Sequence, residues 1–268
     1  MVRLPSVLLL VVFAYGSPSD AASFQGATNG HAVVDANEKE ATGSIKPSRL
    51  PASVDLRGQF DRWGLGPRKQ GKRPTCSVFT VAAAIEFALA KHDGRGTELS
   101  VEYLNWACNR VIGNRTANHG QFFENLLKGF RKYGICREHD MPYAPRFDPT
   151  VRPSKDVIAR AKQLREAPLE VHWINPLRPR RRLTDERFDE IKKVLAAGWP
   201  VAAGSHHSRL LVGYRDDPER PGGGAFFTKD SGSGSYNEVT YEFVKKKVGD
   251  VFWIESRAKG SSKKGKDS

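Results

Sequence analysis

Three stretches of this chain hold residues that could do covalent chemistry together. In "QGKRPTCSVF" (70–79), Gln70 and Gly71 precede Cys76, with Gln70 six residues upstream. In "SHHSRLLVGY" (205–214), His206 and His207 stand just before an apolar run. In "FFTKDSGSG" (226–234), another such run ends on Asp230. A thiolate can attack an acyl carbon, an imidazole can move the proton, and a carboxylate can orient the imidazole. An upstream side-chain amide such as Gln70 can donate to the resulting oxyanion. Taken singly, Cys76 would read as a small buried thiol and Gln70 as a turn residue.

The elements that must position these groups are visible in the pattern. Thr75 suits a helix N-cap, which puts Cys76 in the first turn. There, unpaired backbone N–H groups and the helix dipole favour an anion and so a thiolate. Val78, Phe79, Ala82, Ile85 and Leu89 recur at three- and four-residue steps, and Gly94 suits the stop. A second helix is expected in 99–109, with Ser100 as its cap. A third spans 120–134, with Phe123, Leu126, Leu127 and Phe130 on one face. A fourth, short and exposed, falls in 155–167.

After that the texture changes to short strand-like runs at 169–174, 200–205, 209–217, 224–231 and 250–256, divided by Gly, Pro and Asp turns. One helix interrupts them, capped by Thr184, with Phe188, Ile191, Val194 and Leu195 inward. A helical half followed by a mostly β half predicts an α+β protein of two lobes. Adjacent antiparallel strands would bring His206 or His207 beside Asp230.

The 268 residues suffice for such a core. The net charge of +13 is partly local, in "RPRRR" (178–182) and the tail 257–268. No zinc-finger spacing, RRM signature or aromatic-plus-basic stripe accompanies it, which argues against nucleic acid. Residues 1–22 have the layout of a secretory signal peptide: Arg3, an apolar stretch from Leu4 to Tyr15, then small residues. That stretch is shorter than the roughly 20 residues of a membrane span. An exported location, secreted or periplasmic, is therefore expected, with no membrane span in the mature chain. Residues 23–49 read as a flexible leader or short pro-segment and 257–268 as a basic disordered tail. The three cysteines, Cys76, Cys108 and Cys136, leave at least one thiol unpaired, and no metal-ligand spacing is present.

Further residues then carry a resemblance. "LPASVDLR" (50–57) is similar to the segment that opens the mature domain of papain-like cysteine peptidases. "QGKRPTCSVFTVAAAIEFALA" resembles the stretch in which a Gln-Gly pair lies six residues before the catalytic cysteine of the central helix. "GQFFENLLKGFRKYGICREHDMPY" resembles the family's "G…YG…PY" passage. The family's histidine lies six residues before the glycine of a "VGY" strand, which selects His207 over His206. Asp230 in "KDSGSG" stands where the family has an orienting asparagine. The Cys76-to-His207 separation is 131 residues, and the resemblance covers about 50–256.

The resemblance implies a papain-like two-lobed fold. Its helical lobe would cover about 75–165 and its antiparallel, β-barrel-like lobe about 166–256. It also implies an exported cysteine-type peptidase acting on a peptide or protein substrate. Cys76, His207, Asp230 and Gln70 would be its catalytic residues, with no metal or organic cofactor, and a monomer is expected. Several positions depart from the family. Arg73 replaces the cysteine of the usual disulfide beside the site, so Cys108 would either pair with Cys136 or both would be separate buried thiols. Ser77 replaces a tryptophan, and "SGSGSYN" replaces a tryptophan-bearing loop. These departures keep two alternatives open: a weak or inactive papain-fold protein that binds peptides or a partner, and a basic protein that binds an anionic polymer. Trp63, Trp106, Trp173, Trp199 and Trp253 read as core or lobe-interface residues. His206 reads as a neighbour at the cleft rim, and His92, His119, His139 and His172 as surface or packing residues.

Overall fold

The computed structural model describes residues 50–114, 121–176 and 183–257. The expected signal peptide and leader, His119, "RPRRR" and the tail beyond Arg257 lie outside the described residues. The described residues all fall within the unit Ser48–Ser268.

The helical part opens with strand β1 (Ser53–Asp55) and helix α1 (Arg57–Arg62). Helices α2 (Cys76–Asp93), α3 (Val101–Ile112), α4 (Phe123–Tyr133) and α5 (Lys155–Arg165) follow. The second part runs β2 (Leu169–Asn175), α6 (Asp185–Ala196), β3 (Val201–Ala203), β4 (Arg209–Asp216), β5 (Gly224–Asp230), β6 (Ser235–Thr240), α7 (Tyr241–Lys247) and β7 (Val251–Ser256). Its sheet is antiparallel, in the order β2-β7-β3-β4-β5-β6, with β1 also paired to β4. Helices gathered on one side and an antiparallel sheet on the other make the α+β, two-lobed arrangement expected from sequence.

Helix α2 is the element that both lobes share. Every residue from Ser77 to Ala90 is buried, as befits a helix that is apolar all round and lies in the centre. It packs on α3 and α4 on one side and on β3, β4 and β7 on the other. Its five alanines between Ala82 and Ala90 keep it thin enough for this double packing. Gly94, at φ 72°, ends it in the left-handed conformation that favours glycine. The main core joins these faces through Phe60, Phe87, Leu104, Phe123, Leu211, Phe226 and Phe252.

Two other helix starts, at Ser100 and Thr184, agree with their expected caps, and Ser154 adds a third of the same kind. Ser100 Oγ accepts from the Tyr103 N–H, Ser154 Oγ from Val157 and Thr184 Oγ1 from Arg187. Thr75 does not behave this way. It holds the N-cap position of α2, but its hydroxyl is turned to Tyr143 Oη at 2.7 Å and makes no capping bond. The first N–H groups of α2 are thereby left for another acceptor.

Four elements were not foreseen: β1, α1, β6 and α7. Helix α1 buries only Phe60. Strand β6 pairs with β5 alone and is mostly polar, with Ser235, Asn237 and Glu238 exposed, so no alternating apolar face marks it. The two further cysteines resolve the disulfide alternative. Cys108 and Cys136 are separate, free and buried, one in the main core and the other in a smaller cluster with Tyr103, Met141 and Val157. Burial pushes both thiols up to about 12, so each is protonated and inert at neutral pH.

Candidate active site

Cys76 is the first residue of α2 and half-buried. Burial alone would raise its thiol. A hydrogen bond with His207 and N–H donation from Ser208 and Ser77 outweigh burial, and the thiol lies below its ordinary value. The free helix end described above supplies the Ser77 donor.

His207 lies in the turn between β3 and β4, and Asp230 closes β5. The two meet because β4 and β5 are neighbours. Their register, Leu210 with Lys229, sets Arg209 against Asp230 and leaves His207 two residues upstream. His207 Nε2 lies 2.9 Å from Asp230 Oδ1, which leaves Nδ1 as the ring nitrogen for Cys76. The Asp230 hydrogen bond and then that with Cys76 raise the imidazole to about 9, against the opposing effects of burial and the Arg209 charge.

Asp230 is buried. Burial would raise its carboxyl, but His207, the Gly232 N–H and the Arg209 charge hold it well below the usual carboxylate range. Gly232 N donates to Oδ1 at 2.7 Å and Arg209 Nε to Oδ2 at 2.9 Å. Arg209 also donates to the His207 carbonyl at 2.9 Å. A carboxylate in place of an amide thus comes with its own counter-ion. Gly232 lies close over the pair. A Cβ there would stand 3.1 Å from Asp230 Oδ1 and from His207 Cε1 and Nε2. The short loop therefore covers these two side chains with backbone.

Gln70 is buried beside them. Its N–H donates to Ser231 O at 2.8 Å, its Oε1 accepts from Ser231 Oγ at 2.7 Å, and its Nε2 donates to Arg73 O at 2.7 Å. One Nε2 proton is left without a partner among the described residues. The segment carrying Gln70 is anchored by a charged cluster. Glu86 of α2, 1% exposed, takes Arg68 at 2.6 Å and the buried Lys229 of β5 at 3.6 Å. The Tyr143 hydroxyl adds a bond to Gln70 O at 3.0 Å.

Arg73 replaces more than the sequence alone indicates. It is 3% exposed, forms a two-pronged pair with Glu102 of α3 and donates to Ala144 O at 2.8 Å. Its guanidinium lies over Tyr143, 4.6 Å from the ring centre. A buried ion pair thus links the Cys76 loop to α3 at the position where Arg73 replaces the cysteine of the family's usual disulfide. Ser77 is also engaged, accepting from the Gln121 N–H at 3.3 Å.

The structure therefore brings Cys76, His207 and Asp230 together, with Gln70 alongside. His206 is exposed and lines the adjoining cavity. Sequence reasoning passed over Arg209, Gly232, Glu102 and Tyr143. Arg209 alone left a usable signal: an arginine opening one strand and an aspartate closing its neighbour are a cross-strand pair. Among the described residues no group of three or more His, Cys, Asp or Glu could hold a metal ion. Likewise, no helix among them is long and apolar enough to cross a membrane.

No family model matches this sequence. An uncharacterised peptidase C1-like protein of Acanthamoeba polyphaga mimivirus is 26% identical over 168 residues, 61% of this chain and 51% of that protein. The chain thus spans about half the length of this curated relative. Among solved structures, xylellain, a cysteine protease from Xylella fastidiosa, matches with a TM-score of 0.61 at 21% identity, over 78% of this chain and 87% of xylellain. Amb a 11, a ragweed pollen cysteine protease in its proform, gives 0.58 at 18%, covering 79% and 68%. Digestive procathepsin L 3 of Tenebrio molitor gives 0.57 at 17%, covering 78% and 71%. The likeness is one of fold: this chain has the papain-like two-lobed fold.

Proposed function

We propose that this chain is a cysteine-type peptidase of the papain-like kind, acting through Cys76, His207, Asp230 and Gln70. The Cys76 thiolate attacks a peptide carbonyl. Its oxyanion is held by the spare Nε2 proton of Gln70 and the Cys76 backbone N–H. The His207 imidazolium protonates the leaving amine, and water activated by the neutral imidazole then hydrolyses the thioester. Asp230 keeps the ring oriented and charged, and Arg209 balances its carboxylate.

The observation that carries this reading is the opposed shift of two neighbours. The only half-buried cysteine, among two buried ones, is the one whose thiol is lowered, and its partner imidazole is raised to about 9. A lowered thiol beside a raised imidazole favours thiolate and imidazolium together. The signal-like residues 1–22 support export, and the body of the peptidase would be residues 50–256.

An epoxysuccinyl inactivator, with the adduct read by mass spectrometry, tests the pair. One adduct on Cys76, lost in His207→Ala, together with peptide hydrolysis lost in Cys76→Ala, is the expected result. Equal slow labelling of both proteins would overturn the reading in favour of a papain-fold peptide binder, and hydrolysis that survives Cys76→Ala would overturn it by removing Cys76 as the nucleophile. Terminal sequencing of protein recovered from the medium or periplasm tests export.

A further inference from the structure

Two donors hold the oxyanion in the mechanism above: Gln70 Nε2 and the Cys76 backbone N–H. They stand at the two ends of one short loop, 70–76. Whatever fixes that loop sets the distance between them, and a misplacement of about 1 Å in such a constellation can cost roughly a hundredfold in rate. One side chain from outside the loop touches both of its ends, and the mechanism gives it no part. It is Tyr143.

Tyr143 Oη donates to Gln70 O at 3.0 Å. A phenol has one proton, so towards Thr75 it accepts, with Thr75 Oγ1 donating over 2.7 Å. Burial raises the phenol above its ordinary value, which keeps that proton in place. Thr75 is fully buried and directly precedes Cys76. The hydroxyl therefore ties the residue that carries one donor to the residue whose peptide group carries the other. On the β side, Gln70 N–H already donates to Ser231 O at 2.8 Å. The Tyr143 bond holds the opposite peptide group of Gln70 from the helical side, and the two together aim its side chain.

Tyr143 is itself clamped. Its N–H donates to Glu138 Oε1 at 2.7 Å, and Glu138 pairs with Arg68 at 3.2 Å. The next N–H, of Ala144, donates to Glu102 Oε2 at 3.2 Å. Phe79 of α2 meets the ring edge-on with centres 4.9 Å apart, and the Arg73 guanidinium lies 4.6 Å from the ring centre. A side chain locked in this way by its neighbours can hold a reacting constellation at fixed geometry.

We propose that Tyr143 is the positioning residue of the oxyanion site: its hydroxyl ties Gln70 to Thr75 and so fixes the Gln70 Nε2 donor relative to the Cys76 backbone N–H. This rests on the peptidase reading above and adds the residue on which its donor geometry depends.

The test is Tyr143→Phe, which removes the hydroxyl and keeps the ring. On a fluorogenic peptide amide, kcat should fall about ten- to a hundredfold with KM held within about twofold. Affinity for a peptide aldehyde, whose adduct with Cys76 puts an oxygen in the oxyanion position, should fall by the same factor as kcat/KM. Alkylation of Cys76 by iodoacetamide, which forms no oxyanion, should change by less than about threefold. In a Gln70→Ala background the substitution should cost less than about twofold, because the residue it acts through is gone. An unchanged kcat, an alkylation rate that falls as far as kcat, or equal losses in both backgrounds would overturn the role. Thr75→Val cuts the same tie from its other end. It must show the same split between kcat and alkylation, which keeps the question decidable if Tyr143→Phe does not fold. Aldehyde binding by calorimetry separates the two proposals. A wild type that neither hydrolyses peptides nor binds the aldehyde removes the peptidase reading and this role with it. A wild type that does both, matched by Tyr143→Phe, removes the role alone.

Discussion

Arg73 and Glu102 stand on the helical side of Cys76, and Arg209 and Asp230 stand on the β side. Both are arginine–carboxylate pairs within a few residues of the reacting groups. Arg73 is 3% exposed and fully engaged, with Glu102, the Ala144 carbonyl and the Tyr143 ring around it. Arg209 keeps 20% of its side chain exposed, and its carboxylate partner is shared with His207. Among the described residues the first pair is bonded to no imidazole, and it fixes the geometry of the Cys76 loop. The second reaches an imidazole, so its charge becomes a chemical variable. What an ion pair does here depends less on its geometry than on what else its carboxylate touches.

The largest effect should come from removing the shared group. His207→Ala should lower Cys76-dependent hydrolysis by roughly 10³-fold or more, with little change in melting temperature because the side chain is partly exposed. Hydrolysis retained within about tenfold would show that the β-side pair serves structure alone.

Breaking the other pair should do the opposite. Arg73→Met leaves Glu102 buried without its cation and should cost about 3–5 kcal/mol in stability, measured by urea unfolding. Adding Glu102→Leu should recover most of that. If the single variant unfolds at the same urea concentration as wild type, the ion pair is not what links the Cys76 loop to α3.

The pH profile sharpens the contrast. Activity should rise as Cys76 loses its proton, below the ordinary thiol value, and fall as His207 loses its own near 9. The Asp230 carboxylate is the main cause of the raised imidazole, so Asp230→Asn should move the alkaline limb down. The Arg209 charge opposes that rise, so Arg209→Gln should move the limb up. Arg73→Met should leave it in place. Limbs that shift together in the two β-side variants would break this scheme.

The smallest effect concerns the cover of the pair. Gly232→Ala places a methyl at 3.1 Å from both His207 and Asp230, and the neighbours must give by a few tenths of an ångström. A loss of about three- to tenfold in kcat/KM is expected, with stability nearly unchanged. Full activity would mean that the loop moves aside at no cost.

Most of the frame was legible in the sequence because it rests on local rules. The α2 start and its Gly94 stop, the capping residues Ser100 and Thr184, and the runs that became β2, β3, β4, β5 and β7 follow periodicity and turn chemistry. The elements passed over, β1, α1, β6 and α7, are short or polar, and contacts beyond the local pattern decide their state. Strand β1 is an example. Its partner β4 lies about 160 residues away, and Gly213 is needed there because a Cβ would collide with the Val54 carbonyl.

The sequence by itself settled the identity and spacing of the groups near the cleft: a cysteine opening a helix, a histidine before one strand, an aspartate after the next. These follow from the order of residues and the periods of helix and strand. Only the tertiary structure decided their charges and companions. The β4–β5 register put Arg209 on Asp230, the fold of the 70–75 loop put Arg73 on Glu102, and the Gly204–Asp250 contact left one carboxylate buried without a cation among the described residues. Such pairings join segments distant in sequence, where burial and distance set pKa values and no local pattern records either.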